Sequence, residues 1–285
     1  MPQNALIERL VERLQLRAAS FIVTVYGDVV VPRGEVLWMG SLIEICNSVG
    51  ISENLVRTAT SRLVSAGRLE GERIGRRSFY RLANAARTEF AETAHLLYSR
   101  EATPRRWLVL HTPQITQDAI RRKRMGRLAG DVWLFPDWGL DQESAVPNAS
   151  MTLEVTAPLT SADSSVAAGM WDLDDLHARY TAMIEIFSPI SNGVESDKSL
   201  TNADALICRL LLVHVYRSVL LRDPCLPAAV LPSDWLGAEA RQLFSSLYVK
   251  LSPAADAQIG RALEDVDGPL AVRTAGTDAR LRALR

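Results

Sequence analysis

The sequence predicts an α+β protein that is mostly helical, on three observations. Apolar residues recur with a helical period along much of the 285 residues, and short strand-like runs bounded by glycine interrupt them in two places. Strongly apolar helical patterns dominate the carboxy-terminal part. With 48% hydrophobic and 23% charged residues, the chain can bury a substantial core. We expect three domains, at 1–100, 101–170 and 171–285.

Several classes of protein are excluded by composition. No apolar run approaches the roughly 20 residues that span a bilayer, and charges interrupt the leucines of the amino terminus, unlike a secretory signal. The three cysteines are far apart and show no ligand spacing, so they predict buried thiols. We therefore expect a soluble, cytoplasmic protein with no membrane partner, disulfide framework, metal or cofactor. The cysteines are Cys46, Cys208 and Cys225.

The elements of the first domain follow in a recognisable order. Two apolar segments, predicted helical, flank a short strand or turn near Glu35 to Trp38. An amphipathic helix then begins after Ser52, a natural N-cap, and ends at Gly67. Its apolar face is predicted to comprise Leu55, Val56, Ala59, Leu63 and Ala66. Two strands follow, 68–74 and 78–82, with a tight glycine turn between them. This order is that of a winged helix-turn-helix.

Arginines are concentrated on this last helix and on the hairpin turn, although the whole chain has a formal net charge of −1. A winged helix can place its third helix in the major groove of DNA and its hairpin over the neighbouring backbone. Arginine suits both positions, because its planar fork binds phosphate or guanine edges bidentately. The alternatives are an ordinary solvated surface or a winged helix that binds another protein. The candidate DNA-binding residues are Asn54, Arg57, Thr58, Ser61, Arg73, Arg76 and Arg77.

Three blocks of sequence carry a family resemblance. The segments "YGDVVVPRGEVLWMGSLIEI", "ISENLVRTATSRLVSAGRL" and "RIGRRSFYRL" resemble the amino-terminal domain of the PaaX family of bacterial transcriptional repressors. The middle segment, "RRWLVLHTP" through "GDVWLFPDW", and the later "HVYRSVLLRDPCLPAAVLPSDWLG" resemble that family in the same order. The resemblance implies repression of aromatic catabolic genes, typically those for phenylacetic acid, and release from DNA by an aryl-CoA thioester.

The middle of the chain predicts a strand at 105–113, a helix over 115–130 and strands at 131–138 and 151–159, which is a small α+β domain. In the resembled family this segment is similar to a ferredoxin-like fold, as in Cas2 nucleases. No carboxylate pair for a metal is evident in it, so we expect no nuclease activity.

Helices dominate from Trp171 onward. The segment 201–224 is too apolar for a surface helix, and a core or a dimer interface would explain it. Because a two-fold dimer matches an operator with an inverted repeat, repressors of this kind usually bind as dimers, and we expect a homodimer here. The tail after Pro269 has small and charged residues and is predicted to be disordered.

A CoA thioester would need cations for its phosphates and an apolar slot for its acyl group. The basic run could supply the cations and the carboxy-terminal block the slot. Alternatively, the run is a solvated surface, and the block only holds helices together, with Arg217 paired to Asp223. The candidate effector-binding residues are Arg121, Arg122, Lys123, Arg124, His214, Tyr216, Arg217 and Trp235.

Enzymes form the remaining class. The sequence contains no GxSxG, HExxH, P-loop or GxGxxG pattern, and its four histidines are scattered. Asp174 and His177 could share a helix face at a spacing that metals use, but an acidic first helical turn explains them as well. We therefore expect a regulator without catalytic residues. A hydrolase of CoA thioesters, built from dispersed residues, is the alternative.

Overall fold

The chain is α+β and mostly helical, with two small antiparallel sheets in its described residues, and this confirms the predicted class at that level. The structure is a computed structural model, and it describes residues 5–99, 104–138, 151–156, 159–193 and 200–285.

The first described elements are two helices, α1 (Ala5–Arg13) and α2 (Ala18–Val25). α2 continues through a π-helical turn, Tyr26–Val30, and a 3-10 turn, Val31–Arg33. Nearly every side chain from Phe21 to Val30 is buried, because this stretch is apolar on all faces and a helix of that kind belongs in a core.

A three-stranded sheet and two helices complete the amino-terminal segment. The strand order is β1-β3-β2, and every pair is antiparallel. The predicted short strand and hairpin are both present. In chain order the elements are β1 (Val36–Trp38), α3 (Met39–Asn47), α4 (Glu53–Ser65), β2 (Leu69–Ile74) and β3 (Arg77–Leu82).

α4 begins and ends where the sequence predicts. Ser52 is the N-cap by its extended backbone, although its side chain makes no capping hydrogen bond. At the other end Gly67 has a φ of 65°, which only glycine adopts without strain, and the Arg68 N–H donates to the Leu63 carbonyl. The backbone turn therefore delivers the chain directly into β2.

The buried face of α4 differs from the predicted one. Leu55 is 56% exposed, and Ala66 is exposed too, so their assignment to the apolar face is wrong. Both lie on the flank of the stripe, whose centre contacts α2 and α3. The residues of α4 that are buried are Val56, Ala59, Thr60 and Leu63.

A second sheet has the strand order β5-β6-β4-β7, again antiparallel throughout. The predicted helix through residue 130 is wrong beyond Lys123, because Arg124 adopts a left-handed backbone (φ 52°) and the following residues form a strand. The elements are β4 (Arg106–His111), α6 (Gln117–Lys123), β5 (Gly126–Ala129), β6 (Val132–Asp137) and β7 (Met151–Val155).

Helices follow the second sheet, and α5 (Arg87–Tyr98) precedes it. α9 is buried along most of its length and packs against α10, α2 and α8, so its apolar composition reflects a position in the core. The later helices are α7 (Ser164–Met170), α8 (Leu173–Gly193), α9 (Asn202–Leu220), α10 (Gly237–Ala262) and α11 (Ala275–Leu284).

The carboxy-terminal tail is ordered, so the prediction of disorder is wrong. Thr274 caps α11 and donates a hydrogen bond to the Pro32 carbonyl, 2.7 Å away. Arg280 donates to the carbonyls of Gly27 and Asp28 and lies 4.2 Å above the Tyr98 ring. These contacts fix a segment whose local composition carries no apolar stripe.

One cluster of buried side chains runs from α1–α5 to α8–α10 without interruption, and the partly buried leucines of α11 pack against it. The first helices and the last helices therefore share a single core. A second, small cluster covers one face of the β5-β6-β4-β7 sheet; it consists of Leu108, Leu110, Met125 and Phe135. Cys46 and Cys208 are buried, as predicted, and Cys225 is half-buried.

Candidate functional site

The outer face of α4 is exposed and polar. Asn54, Arg57, Thr58 and Ser61 all point away from the core, because the opposite face is anchored on α2 and α3. The Arg57 guanidinium donates to the Glu53 carboxylate at 2.8 Å, and both side chains are 54% exposed. An ion pair this exposed contributes little to stability, so an anionic partner can displace the glutamate.

The hairpin turn presents a second basic surface. Ile74 pairs with Arg77, which leaves Gly75 and Arg76 as a two-residue turn. Gly75 has a φ of 61°. Arg76 is exposed and has no partner among the described residues, whereas the Arg73 guanidinium donates to the Gly75 carbonyl at 3.2 Å. The turn thus holds Arg76 free at its tip.

Arg77 is held differently from its neighbour. Its guanidinium lies 4.0 Å from the centre of the Trp38 ring and donates to Glu264 at 2.7 Å. The segment of Glu264 is itself fixed, since its carbonyl accepts from the Trp38 N–H and its own N–H donates to the Ser41 hydroxyl. Arg77 therefore connects the hairpin to the chain that follows α10.

The basic run at the end of α6 does not form one surface. Arg121 and Arg122 are exposed and Lys123 is half-buried, but the left-handed backbone at Arg124 turns that side chain inward. Its guanidinium lies 4.8 Å from the Trp138 ring, and burial lowers its pKa. Arg124 is a core residue here, unlike the three before it.

The candidate effector residues near the carboxy terminus face different neighbours. His214 Nδ1 lies 2.9 Å from the Thr24 hydroxyl, and Arg217 donates to the Ser20 carbonyl at 3.1 Å, so both face α2. Tyr216 points to α10 and stacks on Phe244 with ring centres 4.4 Å apart. Residues three positions apart on a helix share a face, whereas residues two positions apart do not. This spacing explains why His214 and Arg217 face α2 while Tyr216 does not.

Trp235 lies elsewhere, with its ring against Tyr180 and His177. The pairing of Arg217 with Asp223 is wrong, because Asp223 accepts hydrogen bonds of 2.6 Å from the Tyr180 hydroxyl and the Cys225 N–H. Among the residues with described side chains, no group of metal-ligating residues could hold an ion. Over those same ranges no helix has the length and apolarity to span a bilayer.

The structure shows a buried ionic network that the sequence analysis missed. The Arg209 side chain is 1% exposed and donates to Asp28 at 3.0 Å and to Asp256 at 2.7 Å. Arg33 donates to the same oxygen of Asp256 at 2.7 Å. This network, formed by Asp28, Arg33, Arg209 and Asp256, joins the turns after α2 to α9 and α10.

Asp28 is the most tightly held group in the network. Burial alone would raise its pKa, but Arg209, Arg280 and the hydroxyls of Tyr248 and Tyr98 hold the pKa of its carboxyl below the ordinary value. The two hydroxyls donate to one carboxylate oxygen at 2.8 and 2.9 Å. A signal for this network is present in the sequence, because Asp28 and Arg209 each interrupt a strongly apolar helical run, and a charge in such a run needs a partner.

His214 makes stability depend on pH. Burial, and secondarily the Arg217 charge, lower its pKa from 6.5 to about 4. As the pH falls, the unfolded chain therefore protonates His214 at a higher pH than the folded chain does. The contribution of neutral His214 to the free energy of unfolding is complete above pH 6.5 and is lost as the pH falls towards 4. We expect this contribution to amount to about 3 kcal/mol.

Urea unfolding at several pH values checks this expectation. His214→Gln should flatten the slope of unfolding free energy between pH 6.5 and 4, whereas His95→Gln, at an exposed position on α5, should leave it unchanged. Equal slopes for both variants and wild type would exclude His214 as the source.

The protein is a helical body that presents an exposed polar helix, α4, and a basic hairpin, β2–β3. Together they form a surface suited to a polyanion. Residues 17–86 match the family described as PaaX-like protein, and residues 171–261 match its C-terminal domain. The transcriptional repressor PaaX of Escherichia coli (strain K12) is 32% identical over 286 aligned positions, which cover 94% of this chain and 90% of that protein. The chain belongs to the PaaX family.

A solved structure is also similar, the uncharacterized protein Rv0674 from Mycobacterium tuberculosis. It is 25% identical, and the match covers 76% of this chain and 89% of that one with a TM-score of 0.44.

Proposed function

We propose that the chain is a DNA-binding transcriptional repressor of an aromatic-compound catabolic operon, that of phenylacetic acid, and that an aryl-CoA thioester such as phenylacetyl-CoA releases it from its operator. The observation that carries the proposal is the 32% identity to a transcriptional repressor over nearly the whole chain. The chain is accordingly a regulator rather than an enzyme.

DNA binding is assigned to α4 and the β2–β3 hairpin, as the third helix and the wing of a winged helix-turn-helix. The sheet order β1-β3-β2 and the packing of α4 on α2 and α3 support that assignment. α4 enters the major groove with Asn54, Arg57, Thr58 and Ser61 towards the bases. Arg73, Arg76 and Arg77 contact the phosphate backbone from the hairpin.

Among the wing residues, Arg76 is the most available, since Arg77 has to leave Glu264 before it can bind a phosphate. That exchange is feasible, because both partners are partly exposed and the pair is therefore worth little. It also means that the segment after α10 affects how the hairpin meets DNA.

The functional units are proposed as 1–100 for DNA binding, 101–170 as a ferredoxin-like domain and 171–285 for effector binding and dimerisation. The order and antiparallel sense of β5-β6-β4-β7 are those of a ferredoxin-like sheet. The stretch in which its second helix would lie, 139–150, is outside the described residues. A homodimer supplies two α4 helices for an inverted repeat.

Release requires an effector that binds a DNA-incompetent arrangement more tightly than the competent one. The buried network and the Arg77–Glu264 pair connect the DNA-binding segment to the carboxy-terminal helices, so a rearrangement among the latter is transmitted to α4 and the hairpin. A coupling of about 1–3 kcal/mol corresponds to a 5- to 150-fold change in operator affinity.

The test is operator binding by the full-length protein with and without phenylacetyl-CoA. We expect a protected inverted repeat upstream of the regulated genes and a loss of affinity of about 5- to 150-fold when the thioester is added. A protein that binds no DNA sequence preferentially would contradict the repressor, and specific binding that ignores the thioester would contradict only the effector.

A further inference from the structure

A narrow cleft with a cavity volume of about 20 Å³ lies between α2, α5 and α9, on the boundary between the first helices and the last. Its walls are largely apolar, with Val23 from α2, Val213 from α9 and Phe90, Ala94 and Leu97 from α5. The cleft is too narrow in this arrangement to seat an aromatic ring without displacement of one wall.

One cation faces this cleft without an ionic partner among the described residues. Arg217 donates only to the neutral oxygens of Ser20, and its Nε is buried without a hydrogen-bond partner in the described part of the chain. The acids that line the same cleft are already engaged. Glu89 accepts two hydrogen bonds of 2.8 Å from Arg68, and Asp28 belongs to the buried network.

A half-buried arginine whose buried Nε–H is unused, with an apolar slot beside it, defines a ligand chemistry. Leaving a buried donor unpaired costs about 1–3 kcal/mol, and an oxygen acceptor on the ligand would remove that cost. The apolar walls suit a flat hydrocarbon body. We propose that this cleft binds an arylacyl group, with its ring between α2 and α5 and its carbonyl or carboxylate oxygen on Arg217. The inference rests on the proposed function and places the effector site where the 171–285 segment meets α2 and α5, instead of within that segment alone.

The position of the cleft explains how a ligand would act on DNA binding. One wall, α2, packs directly on α4, and the other, α5, is tied through Glu89 to Arg68 at the start of the hairpin. A ring bound between α2 and α5 separates these two helices. Because α4 packs on α2 and the hairpin is tied to α5, both proposed DNA-binding elements move relative to each other. The ligand thus selects an opened arrangement.

The experiment measures ligand affinity of the full-length protein by calorimetry with phenylacetyl-CoA, phenylacetate and CoA. Ala94→Leu occupies the slot with a small apolar group, and Arg217→Gln removes the cation. Each has a matched control: Ala91→Leu on the exposed side of α5, and Arg222→Gln at an exposed arginine just beyond α9. We expect each cleft variant to bind about tenfold more weakly or worse, and the controls to stay within about twofold of wild type.

The three ligands identify the source of the arylacyl group. Binding of the thioester but not of phenylacetate assigns the site to the CoA ester, and the reverse assigns it to the free acid. Equal binding of CoA alone would overturn the proposal, because the aryl group would then contribute nothing.

Wild-type affinity in folded Ala94→Leu and Arg217→Gln would also overturn it, as would a wild-type protein that binds neither aryl compound. Operator binding, measured on the same samples, separates this result from a failure of the proposed function. If operator binding is retained, the proposed repressor function still holds and only the ligand site in the cleft is rejected.

Discussion

Arg209→Met lowers the free energy of unfolding by about 3–5 kcal/mol, the expected cost of leaving a buried charge without its partner. Arg209 is 1% exposed and is the residue that bridges Asp28 and Asp256. Without it Asp256 keeps Arg33, but the nearest remaining cation to Asp28, Arg280, lies 4.0 Å away. Chemical unfolding in urea at pH 7 measures the loss.

The matched control is Arg273→Ala, which removes an ion pair with Asp278 from a side chain that is 64% exposed. That change should cost no more than about 1 kcal/mol. The Arg209→Met deficit should also shrink as the pH falls through the ordinary carboxylate range, because a protonated Asp28 no longer needs a cation. Similar losses for both variants would contradict the role given to the network.

Arg57→Ala and Arg76→Ala will weaken DNA binding in different ways. Arg57 lies on the proposed base-reading face of α4, so its loss should reduce discrimination between operator and scrambled DNA by about 1–3 kcal/mol, and Ser61→Ala should act in the same direction. Arg76→Ala should weaken binding to both DNAs alike and lower the salt slope by about 1. Competition binding with both duplexes measures the two effects.

Arg282→Ala, an exposed arginine on α11 outside the proposed interface, controls for the lost charge and should bind both DNAs as wild type does. The effect of Arg77→Ala on DNA binding is harder to interpret, since this change also removes the contacts with Trp38 and Glu264. If Arg76→Ala binds normally and Arg57→Ala loses both DNAs equally, α4 and the hairpin are not docked as proposed.

The local sequence pattern is enough to predict α4 and the β2–β3 hairpin, because neighbouring residues determine both elements. α4 and the hairpin follow from a helical apolar period, a glycine that adopts positive φ and two short strands. The edges of the α4 stripe were not predictable, because Leu55 and Ala66 are apolar but lie where no other element covers them. The strand at Gly126–Ala129 was predicted as part of a helix, because the left-handed backbone occurs at Arg124 and not at a glycine, the residue that usually indicates such a turn.

Contacts between distant parts of the chain leave no periodic pattern in the sequence from which they could be predicted. Asp28 and Arg209 are 181 positions apart, and no periodicity pairs them. The tail was predicted to be disordered from its composition, yet Arg280 and Thr274 anchor it on the turns after α2. His214, Tyr216 and Arg217 are close in sequence, but helix geometry turns Tyr216 away from the other two.

The central claim, that α4 and the hairpin bind an operator, is tested most directly by the affinity of the full-length protein for operator and scrambled DNA over a range of salt concentrations. Phosphate contacts from the hairpin and base contacts from α4 predict that both affinities fall steeply with salt, and that the operator is preferred throughout. Affinity that depends on neither salt nor sequence would contradict the claim.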